Sequence, residues 1–301
     1  MSWALQRISK NVHRINFDAE ASSDWEQWVL LTGDRHYDSP HSLRKLQRRH
    51  LNMAQERDAP VIDIGDFFDL MQGKHDPRQE KKTLLAAQLR WMKDNPDLDT
   101  EEFAYHDYIV DDAAAFFEPY KDQFAVIGYG NHETKIMKHE ETDILKRFAA
   151  RIGREDVVGG YGGWVLMTFS VNGTEKHTVP LKYYHGSGGG GPVTKGVIQT
   201  NRRAVFLPDA KIVVTGHIHE SWQVSITRER INTHGNIRID EQLHICVPTY
   251  KEEYNDGHLG WHVETGKPPK PVGAVWLRFA YRQKGGKKRK RAIEYEAIRA
   301  K

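Results

Sequence analysis

The chain has 301 residues, 39% hydrophobic and 28% charged, with a formal net charge of +3. That is ordinary for a globular protein with a sizeable core, and it fits one large α/β domain or two small ones. One cysteine, Cys246, excludes an internal disulfide; no stretch can span a bilayer, and MSWALQRISKNVHRINF lacks a signal peptide's apolar run, so a cytoplasmic setting is expected.

Trp28 to Thr32 reads as a short buried strand ended by Gly33. Ser39-Pro40 opens a helical stretch in which Leu43, Leu46, Leu51 and Ala54 share a face. VIDIG after Pro60 is a second buried strand. Helices are expected over about Asp76 to Lys93 and Tyr105 to Tyr120. FAVIGYG is a third strand, and a helix follows near Asp143 to Ile152. This order argues for a layered α/β fold with parallel strands. After residue 160 the pattern turns β-rich. A hairpin forms about Asn172-Gly173, the Gly-rich loop GSGGGGPVTKG and a short helical piece follow, and then come the strands KIVVTG, SWQVSITRERI, NIRIDEQLHICVP and VGAVWLRFAY.

Two mixed β-sheets packed face to face with helices outside are therefore expected. They form a single domain over residues 1–283, with a helical insertion at about 70–122. Residues 284–301 are expected as a basic tail. Residues 282–301 contain nine Lys or Arg and two Glu, a charge of +7 that leaves −4 for the rest. The run KKRKR at 287–291 is either solvated or an electrostatic contact for DNA or RNA.

Each apolar strand ends in the same chemistry: Asp34-Arg35-His36, Gly65-Asp66, Gly130-Asn131-His132-Glu133, His185-Gly186 and Gly216-His217-Ile218-His219. Ligands of open α/β sheets gather beyond the carboxyl ends of strands, so five such ends point to one site. In extended backbone, residues i and i+2 project to the same side, which pairs Asp34 with His36 and His217 with His219. Imidazole, carboxylate and amide oxygen without thiolate suit Mn²⁺, Fe or Zn²⁺. Seven donors exceed one tetrahedral ion's need; two ions sharing a carboxylate would use them all. The eleven histidines outside these ends are read as surface or satisfied core residues, and Cys246 as a small buried hydrophobe.

D-x-H, G-D-x-x-D, G-N-H-E, a lone His before Gly, and G-H-x-H, in that order over residues 28–219, resemble the calcineurin-like metallophosphoesterase superfamily. The GDFFD version is similar to that of repair-type nucleases, and lipid-precursor pyrophosphatases share a similar second motif. The resemblance implies a four-layer α/β/β/α sandwich. It assigns one metal to Asp34, His36, Asp66 and His219 and a second to Asp66, Asn131, His185 and His217, with Asp66 as the bridge. Mn²⁺ leads as the metal; Fe, Zn²⁺, Mg²⁺ and Ni²⁺ are alternatives. His132 would face the scissile phosphate, and Asp69 or Glu133 would orient it. Two such ions would lower the pKa of a bound water towards about 7, so that hydroxide attacks phosphorus.

Arg35, Asn131 and Lys195 are candidate substrate contacts, although for Arg35 a salt bridge to a neighbouring acid is the stronger expectation. The Gly-rich loop at 186–191 is either a phosphate cradle or a loop without a ligand role. Asp38 either ligates or orients, or caps the helix after Pro40. The leading expectation is a phosphodiesterase or nuclease on nucleic acid. A small-molecule phosphomonoesterase, cyclic nucleotide phosphodiesterase or pyrophosphatase comes next. A non-catalytic nucleic-acid-binding protein is last. No partner protein and no membrane partner are expected.

Overall fold

The computed structural model describes residues 2–71, 81–98, 102–191, 193–254, 260–284 and 290–300. The strands are β1 (Trp3–Ser9), β2 (Val12–Ala19), β3 (Glu26–Thr32), β4 (Val61–Asp63), β5 (Phe124–Ile127), β6 (Gly162–Val171), β7 (Glu175–Tyr184), β8 (Ile212–Thr215), β9 (Trp222–Ile231), β10 (Ile237–Cys246), β11 (Ala274–Lys284) and β12 (Lys290–Ala300). The helices are α1 (Arg44–Glu56), α2 (Lys81–Asp94), α3 (Tyr105–Phe117), α4 (Asn131–His139), α5 (Ile144–Arg151), α6 (Gln199–Phe206) and α7 (Trp261–Glu264).

Two mixed sheets form, in the orders β1-β2-β6-β7-β8-β10-β9 and β12-β11-β3-β4-β5. Alternation fixes which side chains they bury between them. Val165, Met167, Phe169 and Val171 of β6 turn inward, as do Ile15, Phe17 and Ala19 of β2. They meet Val29, Leu31, Ile62 and Leu277 of the five-stranded sheet. The other face of that sheet, through Leu30, Val61 and Phe124, packs against Leu51, Ile109, Phe117 and Phe148 from α1, α3 and α5. Against the outer face of the seven-stranded sheet, among the described residues, lies α6, where the Gln242 side chain of β10 donates to the Leu207 carbonyl at 2.8 Å.

β3, β4 and β5 run parallel, with Thr32 beside Asp63 and Asp63 beside Ile127. In the other sheet β7 and β8 run parallel, with Tyr184 beside Thr215. Asp34, Asp66, Asn131, His185 and His217 therefore all follow strand ends.

Two segments differ from the sequence reading. The N-terminal residues form a β1–β2 hairpin, with Trp3 beside Phe17. Residues 290–300, expected within a basic tail, form β12, paired along its length with β11 from Ala274–Ala300 to Lys284–Lys290. Ile293, Tyr295 and Ala297 alternate with Glu294 and Glu296, the pattern of a strand with one buried face. Because β11 is antiparallel to β3, with Val275 beside Leu31, Lys284 lies at the end of the sheet remote from Asp34. Nine residues of strand separate Lys284 from that register, or roughly 30 Å. Of the KKRKR run, Lys287, Lys288 and Arg289 lie outside the described residues, as does the expected helical start at Asp76. No helix among the described residues is long and apolar enough to cross a membrane.

Candidate metal centre

The strand-end loops are stitched to one another. Asp34 and His36 donate their amides to the carbonyls of Gly65 and Asp66 at 2.9 and 3.0 Å. The segment after β10 joins them: Tyr250 N and Thr249 Oγ1 both donate to the Asp34 carbonyl, at 3.0 and 2.8 Å. Five donor residues sit in left-handed backbone that non-glycine residues rarely adopt: Asp34 (φ 48°), His36 (43°), Asp66 (51°), His217 (70°) and His219 (53°). Such strain costs about 1–3 kcal/mol per residue and persists where the surrounding structure holds it. Here it turns each side chain out of its strand direction into the shared space.

Three donor groups result among the described residues, two of strand-end donors and a third of His36, Asp69 and His132. Asp34, His36 and His219 bring one ligand atom each within 4.8 Å of the others, and so do Asp66, His185 and His217. His36 Nε2 and His219 Nε2 stand 3.1 Å apart, with Asp34 Oδ1 3.4 Å from the latter. His185 Nε2 lies 3.2 Å from both Asp66 Oδ2 and Asn131 Oδ1. Tautomers follow from the far side of each ring. His36 Nδ1 meets the Asp69 carboxylate at 2.7 Å, and His185 Nδ1 meets the Ile64 carbonyl at 3.2 Å, so in the neutral rings both Nε2 lone pairs face the site.

Divalent cations fit this donor set. Asp34 Oδ1 is buried and accepts no hydrogen bond. A Cβ on Gly130 would stand 1.9 Å from Asp66 Oδ1, and one on Gly216 2.5 Å from Asp34 Oδ2, so glycine alone lets these carboxylates lie where they do. Four imidazoles, two carboxylates and an amide oxygen surrounding one space are ligands for borderline or hard divalent ions.

Electrostatics agree. Burial alone would raise the Asp34 and Asp66 carboxyls. The imidazoles of His219 and His185 outweigh it at Asp34, and those of His185 and His132 at Asp66, holding both below the usual carboxylate range. Burial pulls His185 down, but the Asp66 and Asp34 carboxylates lift it to about 9. Burial lowers His36 and His217.

A cleft of about 540 Å³ opens over these groups. His36, Asp66, Asn131, His132, His217 and His219 form its floor; Gly188 to Gly191 form one wall, and Lys251, Glu253, His262, Lys267 and Lys270 another. His132 is buried, its Nδ1 donating to the Asp69 carbonyl and its Nε2 3.8 Å from Asp66 Oδ2.

Several expected roles change. The Asp69 carboxylate binds His36 Nδ1 and Lys251 Nζ (3.1 Å); only its backbone carbonyl reaches His132. Glu133 is no orienting group: its carboxylate accepts from Phe68 N at 2.9 Å and Gly130 N at 2.8 Å, capping α4 and fixing the GDFFD loop. Burial and the Asp66 carboxylate push its carboxyl up to about 8. Arg35 does not face substrate. It is fully buried, with Nε 2.5 Å from Asp63 Oδ2 and its guanidinium against the rings of Phe67, Phe117, Phe124 and Tyr250. Lys195 turns to Glu220, Nζ to Oε2 3.7 Å, and is not a cleft wall residue. Asp38 neither ligates nor caps a helix: its carboxylate takes the amides of Asp69 and Leu70 and the Tyr105 hydroxyl at 2.5, 2.9 and 2.7 Å. By the distances above Asp66 belongs to the second donor group.

Sequence reasoning missed Lys251 and the Glu253–His262 pair. Lys251 lies between Asp69 and Glu253 (3.5 Å), whose carboxylates keep its ammonium protonated against the pull of burial. His262 Nδ1 meets Glu253 Oε2, and its ring lies 5.9 Å from that of His219. No motif marks them; the only sequence signal is their place just after a strand that ends at the site.

The five motifs converge on one site, in the chain order read from the sequence. No protein-family model and no curated protein sequence matches the chain. Among solved structures, Vps29 of Entamoeba histolytica complexed with zinc is similar at 9% identity and a TM-score of 0.36, over 91% of this chain and 99% of that one. The calcineurin-like phosphoesterase YfkN of Bacillus subtilis is similar at 12% and 0.37, over 91% and 90%. A predicted phosphoesterase of Streptococcus pneumoniae is similar at 10% and 0.31, over 90% and 99%.

Proposed function

We propose that the chain is a metal-dependent phosphoesterase with a binuclear centre, hydrolysing phosphate esters in the cleft. The observation that carries this reading is the convergence of Asp34, His36, His219, Asp66, His185, His217 and Asn131 beneath His132. Asp34, His36 and His219 would hold one cation; Asp66, His185, His217 and Asn131 would hold the other, with Asp66 shared. Bound cations, Mn²⁺ first among the candidates, supply Lewis acidity to a phosphoryl oxygen and acidify water.

The chain's own groups do the rest. His132, with Nδ1–H engaged by the Asp69 carbonyl, keeps Nε2 toward the cleft, where its protonated form can donate to the departing oxygen. Lys251 adds a fixed positive charge beside it for an anionic substrate. The cleft's volume is of the order that small ligands fill, about 300–1,000 Å³. The nucleic-acid reading draws on GDFFD, the Arg/Lys-rich first helix and the cations at 284–301, of which those in β12 begin at the remote end of the sheet. A small phosphate ester or diester is therefore the favoured substrate class, with nucleic acid second.

The test is turnover of p-nitrophenyl phosphate, bis(p-nitrophenyl) phosphate, and single- and double-stranded DNA under Mn²⁺, Fe²⁺, Zn²⁺, Mg²⁺ and Ni²⁺. His132→Ala should slow turnover about 10²–10⁴-fold while leaving metal binding intact; Asp66→Asn should lose both. Metal binding without turnover of any substrate would refute catalysis, and cleavage of DNA alone would restore the nuclease reading.

A further inference from the structure

Helix α6 carries its apolar side outward. At about 100° per residue, Ile198, Arg202, Val205 and Phe206 fall within one arc, and Thr200, Ala204 and Leu207 lie opposite. Thr200 is buried and Ala204 and Leu207 are half-buried, whereas Ile198 is 59%, Val205 81% and Phe206 65% exposed. Val193, just before the helix, is 88% exposed. A surface helix held by its own core does the reverse. Arg228 and Arg230 of β9 donate to the Pro208 carbonyl at 3.3 and 2.8 Å, fixing the helix in this orientation.

Charge in the segment is one-sided. From Gly186 to Pro208 the chain has Lys195, Arg202 and Arg203 and no Asp or Glu. The arc also begins at the rim of the cleft. Gly188 to Gly191 line the cleft, and the Lys195 carbonyl is anchored by Trp222 Nε1 at 2.9 Å.

We infer that this arc docks on an anionic lipid surface, with Val193, Ile198, Val205 and Phe206 entering the boundary of headgroup and acyl chain and Lys195 and Arg202 meeting the headgroups. Apolar insertion and cation attraction are the paired signals such docking needs. A second copy of the chain fits poorly: a twofold axis on this arc would set Arg202 near its own copy. Eight helical residues, about 12 Å long, also offer far less than the roughly 800 Å² per partner of a stable interface. Docking here would turn the cleft mouth toward phosphate esters carried at the surface. The inference does not depend on hydrolysis, because binding is measured without turnover.

The test is flotation of the full chain with phosphatidylcholine vesicles, with and without phosphatidylglycerol. The protein should float only with the anionic vesicles. Val205→Asp/Phe206→Asp should abolish that, and Arg202→Glu should weaken it on the order of tenfold. Both variants should keep the wild-type melting temperature, since these side chains face solvent. No flotation with anionic vesicles would overturn the inference. So would flotation indifferent to the double variant, or a wild-type dimer that the double variant splits.

Discussion

Asp69 Oδ1 stands 2.7 Å from His36 Nδ1 and, on its other flank, 3.1 Å from Lys251 Nζ. The carboxylate thus sets the tautomer of a candidate metal ligand and is itself held in place by a buried cation. Burial would raise Asp69, yet Lys251 and His36 keep its carboxyl well below the ordinary range. Asp69→Ala should weaken metal binding about 10–100-fold, the usual loss when a ligand histidine loses its outer partner. Calorimetric titration with Mn²⁺ measures this. Unchanged affinity would mean that His36 needs no such support.

Arg35 is structural. Truncation to Met strands Asp63 as a buried carboxylate whose other contacts are Thr32 Oγ1 and Gly65 N. The expected loss is about 3–5 kcal/mol in urea unfolding, with no change in KM for the protein that remains folded. Arg35→Lys should rescue little, because a single ammonium cannot reach Asp63, Gln47 and Thr32 together as the guanidinium does. Wild-type stability with a raised KM would return Arg35 to the substrate.

His244 makes a pH prediction remote from the metal ligands. It is buried on β10 with Nε2 2.9 Å from Gln242 Oε1. Burial, then the charges of Arg203 and Arg228, push it down to about 4 from an ordinary 6.5. The folded chain binds fewer protons there, so its contribution is whole above 6.5 and is lost as pH falls toward 4. His244→Gln should lack that loss, narrowing the stability difference between pH 7 and 4.5 by on the order of 1–3 kcal/mol relative to wild type. Parallel losses in both proteins would contradict it.

Removing β12 should damage the fold rather than trim a tail. A chain ending at Lys284 would leave β11 as an open sheet edge, paired only with β3, and expose the core face that Ile293 and Tyr295 cover. It should lose soluble yield and its cooperative melting transition, whereas Lys290→Gln/Arg291→Gln should keep both. An unchanged melting transition in the truncated chain would show that β12 is dispensable.

What could be read in the sequence was whatever sits close together in the chain. Asp34, Asp66, Asn131, His185 and His217 each follow an apolar run within a few residues, and a buried strand with a polar end leaves a short-range mark. Roles set by side-chain direction were not legible. Asp69 and Glu133 are equally eligible partners for His132 as far as residue type goes, yet one supports His36 and the other caps α4. The Gly130-to-Glu133 spacing was a readable sign of that cap. Lys251, Glu253 and His262 reach the cleft only because the segment after β10 folds against Asp34, a long-range pairing. Residues 290–300 were misread because their charge outweighed the alternation of Ile293, Tyr295 and Ala297. The left-handed backbone at five donors left no trace at all, since none is a glycine.

The most direct test of the account is an anomalous difference map from crystals of the full chain soaked in Mn²⁺. Two peaks are predicted, one among Asp34, His36 and His219 and one among Asp66, Asn131, His185 and His217, with the Asp66 carboxylate between them. A map with no peak at these donors, or with manganese bound only elsewhere on the chain, would contradict it.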